Sequence, residues 1–212
     1  MTPALSCQDR GVTKPVGVLA LQGAFREHKQ ALERLGATVR EVRLPPHLEG
    51  LSGVVIPGGE STTMMKLMAT YGLSEALKDF YARGGAIWGT CAGAIAVATD
   101  VAGHPEQPRL GLLEMQVARN AYGRQVASFE VDVNVTGFAE PFRAIFIRAP
   151  RILSVGEGVE VLAQHGDDPI MVAKDRLMAT VFHPELAEDD RVHAYFLAQV
   201  IPTSNVPEMY RI

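Results

Sequence analysis

Residues 86–96 are the most informative segment of this chain: Ala86-Ile87-Trp88-Gly89-Thr90-Cys91-Ala92-Gly93-Ala94-Ile95-Ala96. A short apolar run, typical of a buried strand, leads to a cysteine with a glycine two residues away on either side, and small residues then begin a helix. A cysteine on such a turn is expected to expose its sulfur toward the helix N-terminus, whose free N–H groups and positive dipole end favour the thiolate. The segment therefore predicts an elbow that presents Cys91 as a nucleophile. The alternative is a small cysteine packed beneath a sheet, since free cysteine is often buried.

A cysteine nucleophile needs a base, and His183 is the best placed of the six histidines. It follows a strand-like run and precedes Pro184 and Glu185. If the backbone stays extended through the proline, His183 and Glu185 project to the same side, and the carboxylate can orient the imidazole. The other five histidines look ordinary: His28 and His193 on amphipathic helices, His47 and His104 in loops beside prolines, and His165 at a strand end.

A third signal is the run Pro57-Gly58-Gly59-Glu60-Ser61-Thr62-Thr63 after another apolar strand. Ser61 or Thr62 is expected to be the N-cap of the helix that follows. The two glycines would let backbone N–H groups approach a ligand or an oxyanion closely. The alternative is a tight strand-to-helix turn that needs glycine for its backbone angles. The spacing matches neither of the common glycine-rich phosphate-binding motifs.

The order of the elements predicts an α/β fold with a mainly parallel, doubly wound sheet and helices on both faces, with ligands at the carboxyl ends of the strands. In the first half, expected strands alternate with expected helices, and the second half carries extra strands before a closing helix. The expected strands are 16–21, 38–43, 54–56, 86–88, 115–119, 126–135, 144–147, 159–164, 170–174 and 177–182; the expected helices are 25–35, 62–71, 73–83, 92–99 and 191–200. No internal repeat or low-complexity linker divides the chain.

Taken in this order, the motifs resemble the class I (triad-type) glutamine amidotransferases, whose architecture is flavodoxin-like. Within that class the chain is similar to the glutaminase subunits of two-component pyridoxal 5′-phosphate synthases. The resemblance runs from about residue 16 to residue 200. Beyond the Gly-x-Cys-x-Gly elbow, the Pro-Gly-Gly-Glu-Ser-Thr-Thr run and His-Pro-Glu, it rests on residues 17–28, 119–125 and 146–150, which read GVLALQGAFREH, RNAYGRQ and FIRAP.

The resemblance implies a glutaminase that hydrolyses L-glutamine through a thioester on Cys91. His183 would be general base and then acid, with Glu185 orienting it, and backbone N–H groups of Gly58, Gly59 and Ala92 would hold the oxyanion. The residues implied to bind glutamine are Gly59, Glu60, Ser61, Arg119, Ile147 and Arg148. No metal or organic cofactor is expected, because a nucleophile, a proton shuttle and an oxyanion hole suffice for this hydrolysis.

The resemblance also implies a partner, since this chain has no second catalytic region to use the ammonia. The partner would be a barrel-fold subunit that builds pyridoxal 5′-phosphate. The loop and helix start after the first strand are expected to help form the contact, through Gln22, Arg26, Glu27 and His28. The alternative for this segment is an ordinary strand-helix connection with a polar exposed face.

Composition agrees with one glutaminase domain over residues 15–203, preceded by a disordered extension (1–14) and followed by a tail (204–212). The 212 residues are 47% hydrophobic and 21% charged, enough to bury a sizeable core. A net charge of −4 gives no reason to expect nucleic acid or an anionic membrane as a partner. The N-terminal residues lack a secretory apolar core, and a required free thiol points to the cytoplasm.

Two other functions compete with this interpretation. One is a glutaminase of the same class that serves a different synthase, such as that of imidazole glycerol phosphate synthesis, against which the segments around Gln22 and Arg119 argue. The other is a non-catalytic binding subunit, against which an intact Cys91, His183 and Glu185 argue.

Overall fold

The computed structural model describes residues 14–119 and 128–200. Its strands are β1 (Val16–Leu19), β2 (Val39–Val42), β3 (Gly53–Ile56), β4 (Ala86–Thr90), β5 (Ala98–Val101), β6 (Leu113–Ala118), β7 (Ser128–Val133), β8 (Phe142–Ile147), β9 (Arg151–Val155), β10 (Glu160–His165), β11 (Asp168–Lys174) and β12 (Leu177–Thr180). Its α-helices are α1 (Phe25–Arg34), α2 (Ser61–Thr70), α3 (Leu73–Ala82), α4 (Ala92–Val97) and α5 (Arg191–Val200), and short 3₁₀ turns cover Pro45–Leu48 and Pro184–Leu186.

The main sheet has seven strands within the described residues, in the order β10-β11-β12-β4-β3-β1-β2. The pairs β12-β4, β4-β3, β3-β1 and β1-β2 are parallel. At the other edge, the pairs β10-β11 and β11-β12 are antiparallel. The remaining strands form a three-stranded sheet (β5-β6-β9) and a two-stranded ribbon (β7-β8). The predicted α/β class is confirmed, including the parallel sheet and the extra strands of the second half.

Helices cover both faces of this sheet, as β4 demonstrates. Successive residues of a strand point to opposite faces. Trp88 and Thr90 contact residues of α1 and α5. Gly89 faces the other way, and a Cβ there would lie 2.3 Å from the Gly93 carbonyl oxygen of α4. The sheet is therefore doubly wound, with α1 and α5 packed together on one face and α4, with α2, on the other.

One expected helix is shorter than predicted, and two strands, β5 and β9, were not predicted. The helix after Cys91 ends at Val97 rather than residue 99, because the carbonyl groups of Ala96 and Val97 accept hydrogen bonds from the backbone of Leu110 and Leu112. The chain then continues as β5. Strand β9 was not predicted, because its alternation of buried and exposed residues is weak. Of the expected strand 126–135, the first two residues lie outside the described part.

The core surrounds β4, β3 and β1, whose side chains are almost completely buried. Such continuous apolar strands are typical of a parallel sheet covered on both faces. The carboxyl ends of β3 and β4 lead directly into the segments that contain Gly58 and Cys91. The fold therefore brings two of the sequence signals to one edge of the sheet.

Candidate active site

The turn between β4 and α4 has the sharp geometry expected of an elbow. Cys91 adopts φ 48° and ψ −103°, a backbone conformation that costs a non-glycine residue about 1–3 kcal/mol. Its N–H donates to the Thr180 carbonyl oxygen of β12 at 2.8 Å, which fixes the turn against the neighbouring strand. The two flanking glycines are required because Gly89 packs on Gly93, and Gly93 packs on the Ile56 carbonyl oxygen.

The Cys91 side chain is less accessible than expected from the sequence. The residue is only 7% exposed, and its thiol lies 3.9 Å from the Ile147 carbonyl oxygen. The expectation of an openly exposed sulfur was therefore wrong. Cys91 nevertheless lines a cavity of about 430 Å³, so a small molecule can reach it from one side.

His183 and Glu185 lie beside Cys91, although not by the predicted route. The predicted extended backbone was wrong: Pro184 begins a 3₁₀ turn, where its fixed φ and missing N–H are tolerated. The turn brings Glu185 Oε1 to 2.7 Å from His183 Nδ1, and both residues are buried. The His183 N–H donates to the Ile145 carbonyl oxygen at 2.8 Å, which anchors the segment to β8.

The surroundings of His183 favour its charged form. Burial lowers the pKa of His183. Hydrogen bonds to Cys91 and Glu185, together with the charges of both, outweigh this effect and raise the pKa to about 10. An imidazolium here stabilises a thiolate at Cys91, and the thiolate is the nucleophilic form of cysteine. The arrangement can therefore hold a proton on His183 close to an activated sulfur.

The glycine-rich run after β3 packs directly against this pair. A Cβ on Gly58 would lie 2.7 Å from His183 Cε1 and 3.3 Å from Cys91 Cβ. Gly59 has a φ of +147°, and a Cβ there would overlap the Gln22 side chain. Gln22 Oε1 also accepts a hydrogen bond from the Glu60 N–H at 3.0 Å. The positive φ of Gly59 fits the alternative role, a turn that needs glycine for its backbone angles, while the approach of backbone N–H groups to a ligand or an oxyanion stays a prediction.

Glu60, rather than Ser61 or Thr62, is the N-cap of α2. Its carboxylate accepts hydrogen bonds from the N–H groups of Thr62 at 3.1 Å and Thr63 at 2.6 Å. These bonds, with those to the threonine side chains, lower the pKa of Glu60 to about 2. The N-cap prediction was wrong because a glutamate side chain is long enough to bend back over the first turn. The carboxylate remains ionised at the rim of the cavity.

All six residues expected to bind glutamine line the cavity beside Cys91, with Ala92 and His183; they are Gly59, Glu60, Ser61, Arg119, Ile147 and Arg148. Arg119 lies 3.8 Å from Glu60 and donates to Gln107 Oε1 at 2.8 Å. Arg148 has a φ of +46°, so two of the three non-glycine residues with positive φ in the described chain, Arg148 and Cys91, border this cavity. Residues 120–125 of the motif that contains Arg119 lie outside the described part.

Two residues that line the cavity and one that supports it were not found from the sequence. Ile95 and Pro150 add apolar walls. Gln107 is buried behind the cavity, where its amide holds Arg119 and approaches Ser61 Oγ at 3.4 Å. Ile95 follows Cys91 by one helical turn and could have been inferred from the elbow. A single glutamine in a proline-containing loop gives no comparable signal.

The four residues expected to contact a partner differ in how exposed they are. Arg26 and Glu27 are exposed on α1, and Gln22 is half-buried against Gly59 and Glu60. His28 is completely buried and contacts Thr90, Glu185 and His193. The assignment of His28 to a partner surface was therefore wrong. His28 and His193 lie on helices as expected, and both are completely buried and in contact with each other. Arg26 and His28 belong to the same helix but lie on different faces of it, so the exposure of Arg26 does not imply that His28 is exposed.

Neither a membrane-spanning helix nor a metal-binding cluster occurs in residues 14–119 and 128–200. None of the helices there is long and apolar enough to cross a bilayer. Within the same residues, no group of three or more histidine, cysteine, aspartate or glutamate side chains is arranged to hold a metal ion.

Comparison with known proteins gives consistent results. The sequence pattern of the SNO glutamine amidotransferase family matches residues 18–202. A pyridoxal 5′-phosphate synthase subunit PdxT from Deinococcus radiodurans is 58% identical over 186 residues, which cover 86% of this chain and 95% of the relative. A subunit of the same name from Thermus thermophilus is 57% identical over 189 residues, covering 89% of this chain and 97% of the relative. A solved structure described as a glutamine amidotransferase superposes with a TM-score of 0.84 at 55% identity, covering 87% of this chain and 98% of that one.

Proposed function

This chain belongs to the SNO glutamine amidotransferase family, and we propose that it hydrolyses L-glutamine and delivers the ammonia to a synthase subunit that makes pyridoxal 5′-phosphate. The observation that carries the proposal is the grouping of Cys91 and His183 in the cavity lining, with Glu185 bound to His183. The names of the two relatives at 57–58% identity supply the pathway. The barrel fold of the partner rests on the resemblance stated above.

Free glutamine suits the chemistry of this cavity. Its α-carboxylate needs a fixed cation, which Arg119 and Arg148 can provide, because a guanidinium binds a carboxylate through paired hydrogen bonds. Its α-ammonium needs acceptors, and the ionised Glu60 lies at the same rim. The apolar Ile147 borders the path that the substrate methylene groups would take to Cys91. Gly59 and Ser61 complete the proposed binding set.

The reaction begins with a thiolate already stabilised by protonated His183. The Cys91 sulfur attacks the side-chain carboxamide carbon of glutamine, and the carbonyl oxygen becomes an oxyanion. When the tetrahedral intermediate collapses, the carbon–nitrogen bond breaks and the leaving nitrogen takes the proton from His183. Ammonia departs and a γ-glutamyl thioester remains on Cys91. His183 is now neutral and can act as a base.

Hydrolysis of the thioester restores the starting state. Neutral His183 takes a proton from a water molecule, whose oxygen attacks the thioester carbon. The second tetrahedral intermediate then expels the Cys91 thiolate, and glutamate is released while His183 again carries its proton. Glu185 stabilises the imidazolium at both ends of the cycle, as the 2.7 Å contact with Nδ1 allows.

The oxyanion in both steps would be held by backbone N–H groups. The first N–H groups of a helix have no partner within the helix, which makes the N–H of Ala92 available. The N–H groups of Gly58 and Gly59 belong to the run that packs against His183 and Cys91. Removing one such donor from an enzyme typically costs about 10²–10³-fold in kcat.

The partner would dock on the side of the sheet that carries the active site. Arg26 and Glu27 are the exposed residues at the start of α1 and are proposed to contact it, with Gln22 joining that segment to the active-site loop. Docking would raise the glutaminase rate by reshaping the run at Gly58 and Gly59, so that glutamine is not wasted. The chain is proposed to act in the cytoplasm, where the Cys91 thiol stays reduced.

The experiment that tests this function measures glutamate and ammonia released from glutamine by the chain alone and with the synthase subunit added. We expect slow release alone, faster release with the partner, and none in Cys91→Ala. Release that ignores the partner would retain the glutaminase but remove the assigned pathway. Activity retained by Cys91→Ala, or the absence of release from both wild-type preparations, would overturn the proposed chemistry.

A further inference from the structure

A chain of buried polar side chains continues from the catalytic carboxylate into the protein. Glu185 binds His183 through Oε1, and its Oε2 lies 3.3 Å from His28 Nε2. The same His28 nitrogen is 3.1 Å from Thr90 Oγ1. On its other side, His28 Nδ1 is 2.9 Å from His193 Nε2. His28, Thr90 and His193 are all completely buried.

The distances select the tautomers of the two histidines. Both rings stay neutral: burial above all, with the charge of protonated His183, lowers the pKa of His28 well below its ordinary value. Burial lowers the pKa of His193 to about 3, with Asp190 opposing and Arg34 reinforcing this effect. A carboxylate oxygen only accepts hydrogen bonds, so the His28 nitrogen that faces Glu185 is the one that carries its proton.

The second ring follows from the first. His28 Nδ1 is then an acceptor, and His193 Nε2–H donates to it. This leaves His193 Nδ1 as a bare lone pair, and that atom has no hydrogen-bond partner among the described residues. The opposite tautomers would bury an unpartnered N–H there and turn a lone pair toward Glu185, both of which cost free energy. His193 therefore donates to His28, whose own N–H lies beside Thr90 Oγ1 and the catalytic carboxylate.

Packing holds this chain in place. Trp88 contacts both rings edge-on, at centroid distances of 5.4 Å to His28 and 5.0 Å to His193, and its Nε1–H is bound to Thr180 Oγ1. Two imidazoles at such a position are expensive, because apolar side chains of similar volume would bury no polar atoms. Hydrophobic packing alone therefore does not explain them. Their contacts with Thr90 and Glu185 do provide an explanation, since Thr90 precedes the nucleophile and Glu185 orients the acid.

We propose that His28, held by His193, is a positioning residue for the reaction of Cys91. Its Nε2–H, shared between Thr90 Oγ1 and Glu185 Oε2, keeps the carboxylate aimed at His183. Glu185 Oε2 is buried with no hydrogen-bond partner among the described residues, and His28 Nε2 lies 3.3 Å from it. The inference rests on the proposed glutaminase chemistry and adds a second layer to it.

The test compares four variants of the full chain, assayed with the synthase subunit present. His28→Leu keeps much of the volume and removes the donor, and we expect kcat to fall about 10- to 100-fold with little change in the KM for glutamine. His28→Gln restores an N–H at the position of Nε2 and should recover most of that loss. His193→Leu, which leaves His28 in place but without its donor, should give an intermediate loss. Phe196→Leu is the matched control, since Phe196 packs on the same Trp88 from α5 but offers no hydrogen bond.

A second readout is independent of turnover. The rate at which iodoacetamide alkylates Cys91, followed by peptide mass spectrometry to exclude Cys7, reports the pH at which the thiolate forms. If His28 supports Glu185, and through it the His183 imidazolium, this profile moves to higher pH in His28→Leu and not in Phe196→Leu. The charged or titratable groups around the pair are His183, Glu185, Asp190 and Arg34, and all of them are unchanged in these variants.

The outcomes separate the two proposals. Activity in Cys91→Ala would defeat the glutaminase chemistry itself. If Cys91→Ala is inactive but folded His28→Leu keeps its kcat and alkylation profile, only the positioning role fails. Equal losses in His28→Leu and Phe196→Leu would also overturn it, by assigning the effect to packing. If thermal unfolding assays show that His28→Leu does not fold, the other two histidine variants decide. Wild-type kinetics in His193→Leu would refute the positioning role of His28, and so would the absence of activity in a folded sample of His28→Gln.

Discussion

Replacing Gly58 by alanine tests whether catalysis requires the His183 imidazole to stay where Glu185 holds it. The new Cβ would lie 2.7 Å from His183 Cε1, about 0.7 Å short of the 3.4 Å at which ordinary contact begins. The ring cannot simply rotate away, because its Nδ1 is bound to Glu185 at 2.7 Å, and Cys91 Cβ is only 3.3 Å from the same methyl group. A displacement near 1 Å in a catalytic group can cost about 10²-fold in rate.

We therefore expect Gly58→Ala to lower kcat/KM for glutamine roughly 10- to 100-fold, or about 1.4–2.7 kcal/mol of transition-state stabilisation. The assay is glutamate release with the synthase subunit present. Gly84→Ala is the control. It strains a backbone of φ +89° in open space, just before the first residue of β4 and so at the end of that strand opposite Cys91. It should lower stability without affecting kcat/KM. A Gly58→Ala protein that retains kcat/KM within about twofold of wild type would refute the argument.

Two further predictions concern charged groups around the cavity. The pKa of His183 is raised to about 10, so protonated His183 stabilises the fold fully below its ordinary pKa of 6.5, and this stabilisation is lost as pH rises through 10. Glu185→Gln should move the alkaline limb of the kcat–pH profile to lower pH. A limb that does not move would contradict the role of Glu185 in raising the pKa of His183. Glu60→Ala removes the cap of α2 and should cost about 1 kcal/mol of unfolding free energy at pH 7 by denaturant titration. Since the pKa of Glu60 is lowered from 4.5 to about 2, its charge stabilises the fold above pH 4.5, and the difference from wild type should narrow as pH falls toward 2.

The parts of the fold predicted from the sequence are those with strong local signals. The alternation of apolar strands and helices predicted the parallel sheet, and parallel order brings strand ends to one edge, so Cys91 and Gly58 were expected to meet. The elbow was predictable because glycines at 89 and 93 admit a backbone approach that any Cβ would block. These are properties of single segments, which a sequence displays directly.

The parts that could not be predicted depend on which segments meet. Gln107 supports Arg119 across a loop, and nothing near either residue indicates the other. The extended geometry expected for His183 was wrong because the proline that restricts the preceding residue also suits the first position of a 3₁₀ turn. The predicted contact between His183 and Glu185 is nevertheless present, since a turn of three residues brings Glu185 back to His183 as effectively as an extended strand would.

The alternation of β4 explains why the buried histidines lie where they do. Gly89 faces α4 and allows the helix that follows the nucleophile to approach, while Trp88 and Thr90 face α1 and α5. One strand thus connects Cys91 to α4 on one face of the sheet and to α1 and α5 on the other. The N-terminal end of α4 can act on the sulfur directly, whereas His28 of α1 can act on it only through Thr90 and Glu185. A neutral donor suits that indirect position, because a charged histidine beside Glu185 would compete with His183 for the carboxylate and weaken the imidazolium on which Cys91 depends.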